Sequence, residues 1–500
     1  MSNLGYRGRN GKILFDLTLD DSFRGNPGNE LSPRSTINHL PDELLVEIFD
    51  FYRQHNFPSS HSWSIKLEWF KLIHVCNRWR TVMFASSSRL DLYFVLGSNQ
   101  EGDMKTIMSR HSPPLPIEIN YNRWVESLTT KEMGRILAAL KCPDRILGFT
   151  LTGSADDLNK IFKATARRPF PALESLALRD GKRKKLKIPA TFLKESDLHL
   201  RTLKLQHVSL PSISRFLSSA PALTDLSLVL DTDVGPPLAM SLLLSYLQGM
   251  HYLRRLELDT TSEIDGLVRP TKPEERFPLA KLTFFHYRGH SAFLNTLVAG
   301  IVAPAVREID IDLYDIRALP PITDLPRFID DIGERYHAVQ VSIDRDCFHF
   351  SLFTQSEYVG RHSPHLKLCT DRFFESVMHT SNAFSAKLTT AEELILIFVP
   401  MANIPWHSFL QHFPSVKALR MPGSYNPHIS SVLHQDYEGL NLAFLPALEE
   451  IEIFQSPFCY HESERVAELA AFEPFVSARQ QAGFQVKVVN SNRAFNDVCR

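Results

Sequence analysis

The sequence predicts an α/β protein in which a short all-α unit precedes a solenoid-like stack of short parallel strands and helices. Three observations carry that expectation. An apolar spacing of the form L-x-x-L-x-L recurs along the chain, and two amphipathic stretches precede it between about residues 37 and 84. The third is length: 500 residues exceed one ordinary core and suggest several units or one extended repeat array.

The first helix is read within Ile37–Tyr52. Pro41 suits a first helical position, where its fixed φ fits and its missing N–H would have had no partner. Asp42, Glu43 and Glu47 put negative charge in the opening turns, where the helix dipole favours it. Leu44, Leu45, Ile48, Phe49 and Tyr52 then form one apolar stripe. A second helix is expected from about Ile65 to Phe84, with Trp69, Leu72, Ile73, Cys76, Trp79 and Met83 as its stripe. Two short helices bury little surface alone, so they are expected to share one face and offer another to a partner.

The run Leu40-Pro41-x-Glu43-Leu44-Leu45-x-x-Ile48-Phe49, followed by His74-Val75-Cys76-Asn77-Arg78-Trp79-Arg80, resembles an F-box motif. The form is similar to that in the many F-box proteins of mushroom-forming fungi, including the tail Ala85–Leu90 after the Trp helix. The resemblance covers about Ile37 to Leu96 and departs from the compact motif by a longer insert, roughly Gln54 to Ser64. It implies a docking module for the Skp-family adaptor of a cullin–RING ubiquitin ligase, with Leu40, Pro41, Leu44, Ile48, Val75, Cys76 and Trp79 at or beneath the docking surface. The expected organisation is a mobile tail over 1–35, a docking domain over 36–97 and a repeat domain over 98–500. Strand-like runs at Leu92–Leu96 and Ile117–Asn120 and a helix over Thr130–Leu140 lead into the repeats.

The repeat reads Leu173-x-x-Leu176-x-Leu178, then starts again at Leu200, Leu223, Leu253, Leu279 and Val306, and later at Val416 and Leu448. Successive starts from Leu173 to Val306 differ by 27, 23, 30, 26 and 27 residues (200−173, 223−200, 253−223, 279−253, 306−279). Weaker copies stand at Ile146/Phe149/Leu151, Ala338/Val341/Ile343 and Ala391/Leu394/Leu396. The last two apolar positions of each copy, two apart, point to one side of a short strand, and the residue between them points out. Helical stretches such as Pro237–Leu247, Ser291–Val298 and Pro405–Phe413 fill the intervals, and several copies follow a Pro, as in Phe170-Pro-Ala-Leu173. Strand plus helix per unit, stacked, buries a core that no single unit could. The period resembles leucine-rich repeats. The Asn or Cys of that family is missing three residues after the last Leu, where Gly181, Val208 and Asp231 stand, so irregular turns are expected. The stretch from about Leu313 to Lys387 is the least regular and reads as an insertion or degenerate units.

Composition excludes several classes. A formal net charge of −1 gives no global case for nucleic acid or an anionic membrane. The six cysteines contain no C-x-x-C pair, which argues against a disulfide framework or structural zinc and fits a reducing compartment. The most apolar run, Leu394–Val399, is far shorter than the ~20 residues a membrane helix needs. The protein is therefore expected in the cytoplasm, the nucleus or both.

The chain carries no phosphate-cradling Gly-rich loop, no nucleophile elbow and no H-E-x-x-H. His461-Glu462 lacks a second His at ligand spacing, and His362 with His365 lacks a third ligand, so these histidines read as surface or core. Glu392-Glu393 and Glu449-Glu450 read as solvated faces. Cys76 reads as a small hydrophobe on a buried stripe. The basic run Lys182–Lys187 reads as a solvated loop between units, with a nuclear-import signal or anionic-partner patch as the alternative. The expected function is a non-enzymatic substrate receptor of an SCF-type ubiquitin ligase, with no cofactor and no metal. Its partners are the Skp-family adaptor, through it the cullin, and an unknown target protein. The competing reading is a repeat scaffold that binds a protein without any ubiquitin connection.

Overall fold

Each repeat must satisfy its strand backbone through its neighbours, and in this chain it does so through one continuous sheet. The computed structural model describes residues 40–56, 72, 75–86, 94–97, 115–122, 128–165, 168–180, 186–189, 192, 199–208, 210–230, 240–260, 275–313, 323–343, 348–354, 364–370, 374–398, 405–422, 429–430, 432–433, 444–455 and 462–494. It divides into two compact units, Met1–Asp91 and Leu92–Arg500.

The first unit holds α1 (Asp42–Asn56) and α2 (Asn77–Ala85). Of the helix expected from about Ile65 to Phe84, the part from Asn77 is α2; Leu72 is helical too, Val75 and Cys76 lie outside a helix, and 57–71 and 73–74 lie outside the described residues. Cys76 therefore sits ahead of the helix rather than on its stripe. Its Sγ accepts the Trp79 N–H at 3.4 Å, capping the helix where Ser or Asp would be usual.

The second unit carries β1 (Phe94–Gly97), β2 (Ile117–Asn122), α3 (Thr130–Ala139), β3 (Ile146–Gly153), α4 (Ala155–Thr165), β4 (Ser175–Asp180), β5 (Thr202–Gln206), α5 (Leu210–Ser219), β6 (Asp225–Val229), α6 (Met240–Gln248) and β7 (Arg255–Asp259). It continues with β8 (Phe277–Pro278), β9 (Phe284–Gly289), α7 (Ser291–Gly300), β10 (Ile301–Val302), β11 (Glu308–Leu313), α8 (Asp324–Asp330), β12 (Ala338–Ile343), β13 (Phe348–Phe353) and β14 (Leu366–Thr370). The last elements are α9 (Phe374–Ala383), α10 (Ser385–Leu388), β15 (Glu393–Phe398), α11 (Trp406–Leu410), β16 (Ala418–Pro422), β17 (Glu450–Gln455), α12 (Glu462–Gln481) and β18 (Lys487–Ala494). Because β1 pairs in parallel with β2, the unit boundary falls at Asp91/Leu92 and not at 97/98.

A 16-stranded sheet runs β1-β2-β3-β4-β5-β6-β7-β9-β11-β14-β13-β12-β15-β16-β17-β18. The first apolar residue of each main copy, from Leu173 to Leu448, is buried, and so are the next two in most copies. Alternation decides the faces: Leu176, Leu203, Leu226 and Leu256 share the core side, while the residue after each faces outward.

Two copies lie in a different frame from the expected one. Leu256 pairs with Phe285 and Leu258 with Tyr287, so the fifth unit is Leu282-x-x-Phe285-x-Tyr287, and Phe284 turns outward. Leu279 is buried too, but its N–H donates to Val302 O outside the main sheet, so both spacings satisfy the apolar pattern. Likewise Val339 pairs with Leu394 and Val341 with Leu396, which shifts the Ala338 copy to Tyr336-x-x-Val339-x-Val341.

The irregular stretch is a reversal. From β11 the chain leaves two sheet positions open and forms β12. It turns back antiparallel as β13, and again as β14, which closes on β11 in parallel. β15 then continues in parallel beside β12. Hence β13 alone among the described strands of the sheet opposes the rest, a departure from the expected all-parallel stack. Its core residues are Phe348, Phe350 and Leu352, and Phe350 stacks on Phe384 at 5.6 Å. Aromatic bulk replaces the Leu pair of the other strands.

Candidate functional site

Two surfaces, one in each unit, gather the side chains able to recognise another molecule. In the first unit, α1 has two apolar faces. Leu45, Val46 and Phe49 are buried, and Phe49 meets the Trp79 ring edge-on at 5.0 Å. Leu44, Ile48 and Phe51, spaced i, i+4 and i+7 on another face, are 48%, 41% and 61% exposed. Val75, just before α2, is 58% exposed. The expected single stripe is thus split, with Leu45 and Phe49 inward and Leu44 and Ile48 outward. Of the other residues expected at this surface, Pro41 is exposed while Leu40, Cys76 and Trp79 are half-buried. Arg78 joins the two helices by donating to Asp42 Oδ1 at 2.6 Å and to the Leu40 carbonyl. Its pairing with Asp42 has no local signal across 36 positions.

In the second unit, the outward positions of the strands make rows across the sheet. Lys204, Ser227, Glu257, His286, Asp310 and Lys367 occupy one row, and Arg179, Gln206, Val229, Asp259, Arg288 and Asp312 the next. In these two rows β7 and β11 carry acids, and β9 between them carries His286 and Arg288. His286 Nδ1 lies 3.1 Å from Asp310, Arg288 lies 3.1 Å from Asp312, and Arg255 lies 2.6 Å from Glu257. The hydrogen bond with Asp310 holds the His286 imidazole above its ordinary pKa against the pull of burial. Burial alone would raise Glu257, but hydrogen bonds from Arg255 and Ser227 bring it below the usual carboxylate range. For Asp259 burial wins and pushes the carboxyl up. Glu257, His286 and Asp310 stand between the last two apolar residues of their copies, and Asp259, Arg288 and Asp312 follow the last one, so the strand register makes the rows legible and linear spacing does not.

Further along, Arg420 reaches Glu393 at 3.2 Å and Glu452 at 3.0 Å. Glu393 is drawn into this cluster, where burial raises its pKa, so the expectation of a solvated Glu392-Glu393 face fails for Glu393. Glu392 is half-exposed and pairs with Lys417 at 3.1 Å.

His365 is buried, 2.9 Å from Tyr336 Oη and 3.1 Å from the Val306 carbonyl, and His362 lies outside the described residues. No group of three His, Cys, Asp or Glu able to hold a metal occurs among the described residues. Lys182–Lys185 also lie outside them. Leu186 is buried and bridges to Val208, and Lys187 is exposed. No helix among the described residues is long and apolar enough to cross a membrane.

No protein-family model matches this chain. No curated protein matches it either. Among solved structures it is similar to the leucine-rich-repeat-containing protein LegL7 from Legionella pneumophila. That similarity has 12% identity and a TM-score of 0.24, over 76% of this chain and 97% of that one. The second unit is a mixed α/β repeat array by its own strand register.

Proposed function

We infer that this chain is the substrate-receptor subunit of an SCF-type ubiquitin ligase. The first unit acts as an F-box that docks the Skp-family adaptor, and through it the cullin. The repeat array holds a target protein. The observation that carries the reading is the doubled apolar character of α1: Leu45, Val46 and Phe49 already fill the unit's interior, and yet Leu44 and Ile48, with Val75, stand in solvent. A helix that spends its best apolar residues outward is suited to a partner's groove. The chain itself makes and breaks no bond. It raises the effective concentration of a target near the ubiquitin-charged enzyme.

The test is co-expression of the full chain with a Skp-family adaptor. Wild type should co-elute with it. Ile48→Glu combined with Val75→Glu should abolish co-elution with circular dichroism unchanged, because both side chains are exposed. Undiminished co-elution of that variant would count against the docking role. The charged strand face supports protein binding under the runner-up reading as well, a repeat scaffold with no ubiquitin role. That reading is favoured if wild type fails to hold the adaptor.

A further inference from the structure

The residue immediately before each strand forms a row along one margin of the sheet. Its main chain is a ladder: the Glu174 carbonyl accepts the N–H groups of Arg201 and Thr202, and the Arg201 carbonyl those of Thr224 and Asp225. The Thr224 carbonyl serves Arg254 and Arg255, that of Arg254 serves Thr283 and Phe284, and that of Thr283 serves Arg307 and Glu308. Each Thr hydroxyl donates back to the preceding Arg carbonyl, Thr224 to Arg201 at 3.0 Å and Thr283 to Arg254 at 3.1 Å. The row therefore reads Glu174, Arg201, Thr224, Arg254, Thr283, Arg307, with its backbone fixed and its arginines exposed.

The same row beyond the reversed strand offers an internal comparison. There Glu392, Lys417 and Glu449 succeed one another in the ladder, and Lys417 pairs with Glu392 at 3.1 Å. Alternating sign neutralises that half. Between β5 and β11, threonine takes the alternate places. Arg201 has Glu174 at 3.6 Å, but Arg254 and Arg307 form no ion pair among the described residues. Lys281 adds a further cation, held 4.3 Å over the Tyr252 ring, itself 54% exposed. The adjoining row holds two acids, Asp225, whose Oδ2 lies 2.7 Å from Thr224 Oγ1, and the exposed Glu308.

We propose that this Arg–Thr row docks an acidic, extended segment of a partner protein, with a carboxylate at every third residue. Row positions are one strand apart, ~4.8 Å, so the arginines recur at roughly 10 Å. A polyproline-II segment rises ~3.1 Å per residue with about three per turn, which places positions i and i+3 on one side roughly 9 Å apart. The two periods match, and guanidinium groups bind carboxylates in a bidentate fork. The row ends at the reversed insert: the register sets Pro364, which has no N–H, opposite Arg307, and the following N–H, that of His365, donates to Leu352 O rather than to Arg307 O. This inference deepens the reading of the repeats as the target-holding unit and does not depend on adaptor docking.

The experiment titrates the full chain with a fluorescent peptide of repeated Asp-Pro-Ser, its Asn-Pro-Ser counterpart, and a single-stranded oligonucleotide of similar charge. Binding of the Asp peptide, lost in the Asn peptide and weakened by added salt, is expected. Arg254→Thr with Arg307→Thr extends the threonine pattern already in the row, so the ladder should persist, and should weaken binding by roughly tenfold. Lys417→Thr, in the neutralised half, should leave it unchanged. Equal binding by the double variant, no binding of the Asp peptide, or tighter binding of the oligonucleotide would each overturn the proposal. Adaptor co-elution of the double variant reports separately on the other unit.

Discussion

His365 shows how much one side chain can fix. It stands just before β14, where the reversed insert rejoins the parallel ladder. Its N–H donates to Leu352 O at 2.9 Å, and its carbonyl accepts from Ile309 at 2.6 Å. A carbonyl can only accept, so Nε2 carries the proton toward Val306 O, and Nδ1 is left to accept from Tyr336 O–H. Burial lowers the His365 pKa against the opposing pull of the Val306 carbonyl and of Glu334, the charged group acting on it. Burial, with Glu334 and Asp330, raises that of Tyr336, which stays a donor. The sign follows: the unfolded chain binds this proton more readily, so stability is whole above about pH 6.5 and falls as pH drops from there toward the folded value. His286 works in the opposite sense, because its raised pKa gives stability that is lost as pH climbs through that value. Urea unfolding at about pH 7.5 and about 5.5 should therefore show a smaller acid loss for His365→Gln than for wild type. His365→Ala should unfold more easily at both, since each orphaned buried group costs about 1–3 kcal/mol. Equal acid loss in wild type and the Gln variant would contradict this role.

At the scale of elements, turns replace what a regular side-chain ladder would supply. After β7, Thr260 N–H donates to Arg288 O at 2.7 Å, and Thr260 Oγ1 lies 3.2 Å from Tyr287 Oη, which in turn donates to His290 O at 2.8 Å. Gly289 closes this corner at φ +152°, and a Cβ there would lie 1.8 Å from Thr260 Oγ1 and 2.7 Å from Tyr287 Oη. Gly289→Ala should thus cost about 1–3 kcal/mol or more, read as a lower midpoint in thermal unfolding, and an unchanged midpoint would refute the corner's rigidity. The absence of an Asn ladder was legible in the sequence, and irregular turns follow from it. The Leu pairs of β4 to β7 were legible because each sits at the same offset from a buried lead residue. The fifth copy misled because Leu279 and Leu282 are both buried, and a three-residue spacing cannot choose between them. The reversal could not be read: Phe348-x-Phe350-x-Leu352 alternates like any strand, and alternation carries no direction. Helix α1 was legible in its start beside Pro41 but not in its end, which runs past the expected Tyr52 to Asn56, nor in its two faces, since Leu44 and Leu45 are equally apolar and only packing separates them.

For the whole molecule, the proposed function divides the work between the two units. Repeats that contact mainly their neighbours gain stability by stacking, so their outward residues are released from core duty and free to vary toward a partner. That freedom explains why a target would not be written in the apolar pattern, whereas under the proposed docking of an acidic segment the sign pattern of the strand-start row would carry its chemistry. Under the proposed docking role the first unit has the reverse economy, with a few apolar side chains on two helices expected to carry most of the recognition. The measurement that bears most directly on this division is hydrogen exchange of the full chain with and without a purified Skp-family adaptor. Slowed exchange across Asp42–Asn56 and Asn77–Ala85, with the strands of the sheet unchanged, is the predicted result. Protection confined to the strands, or none anywhere, would contradict it.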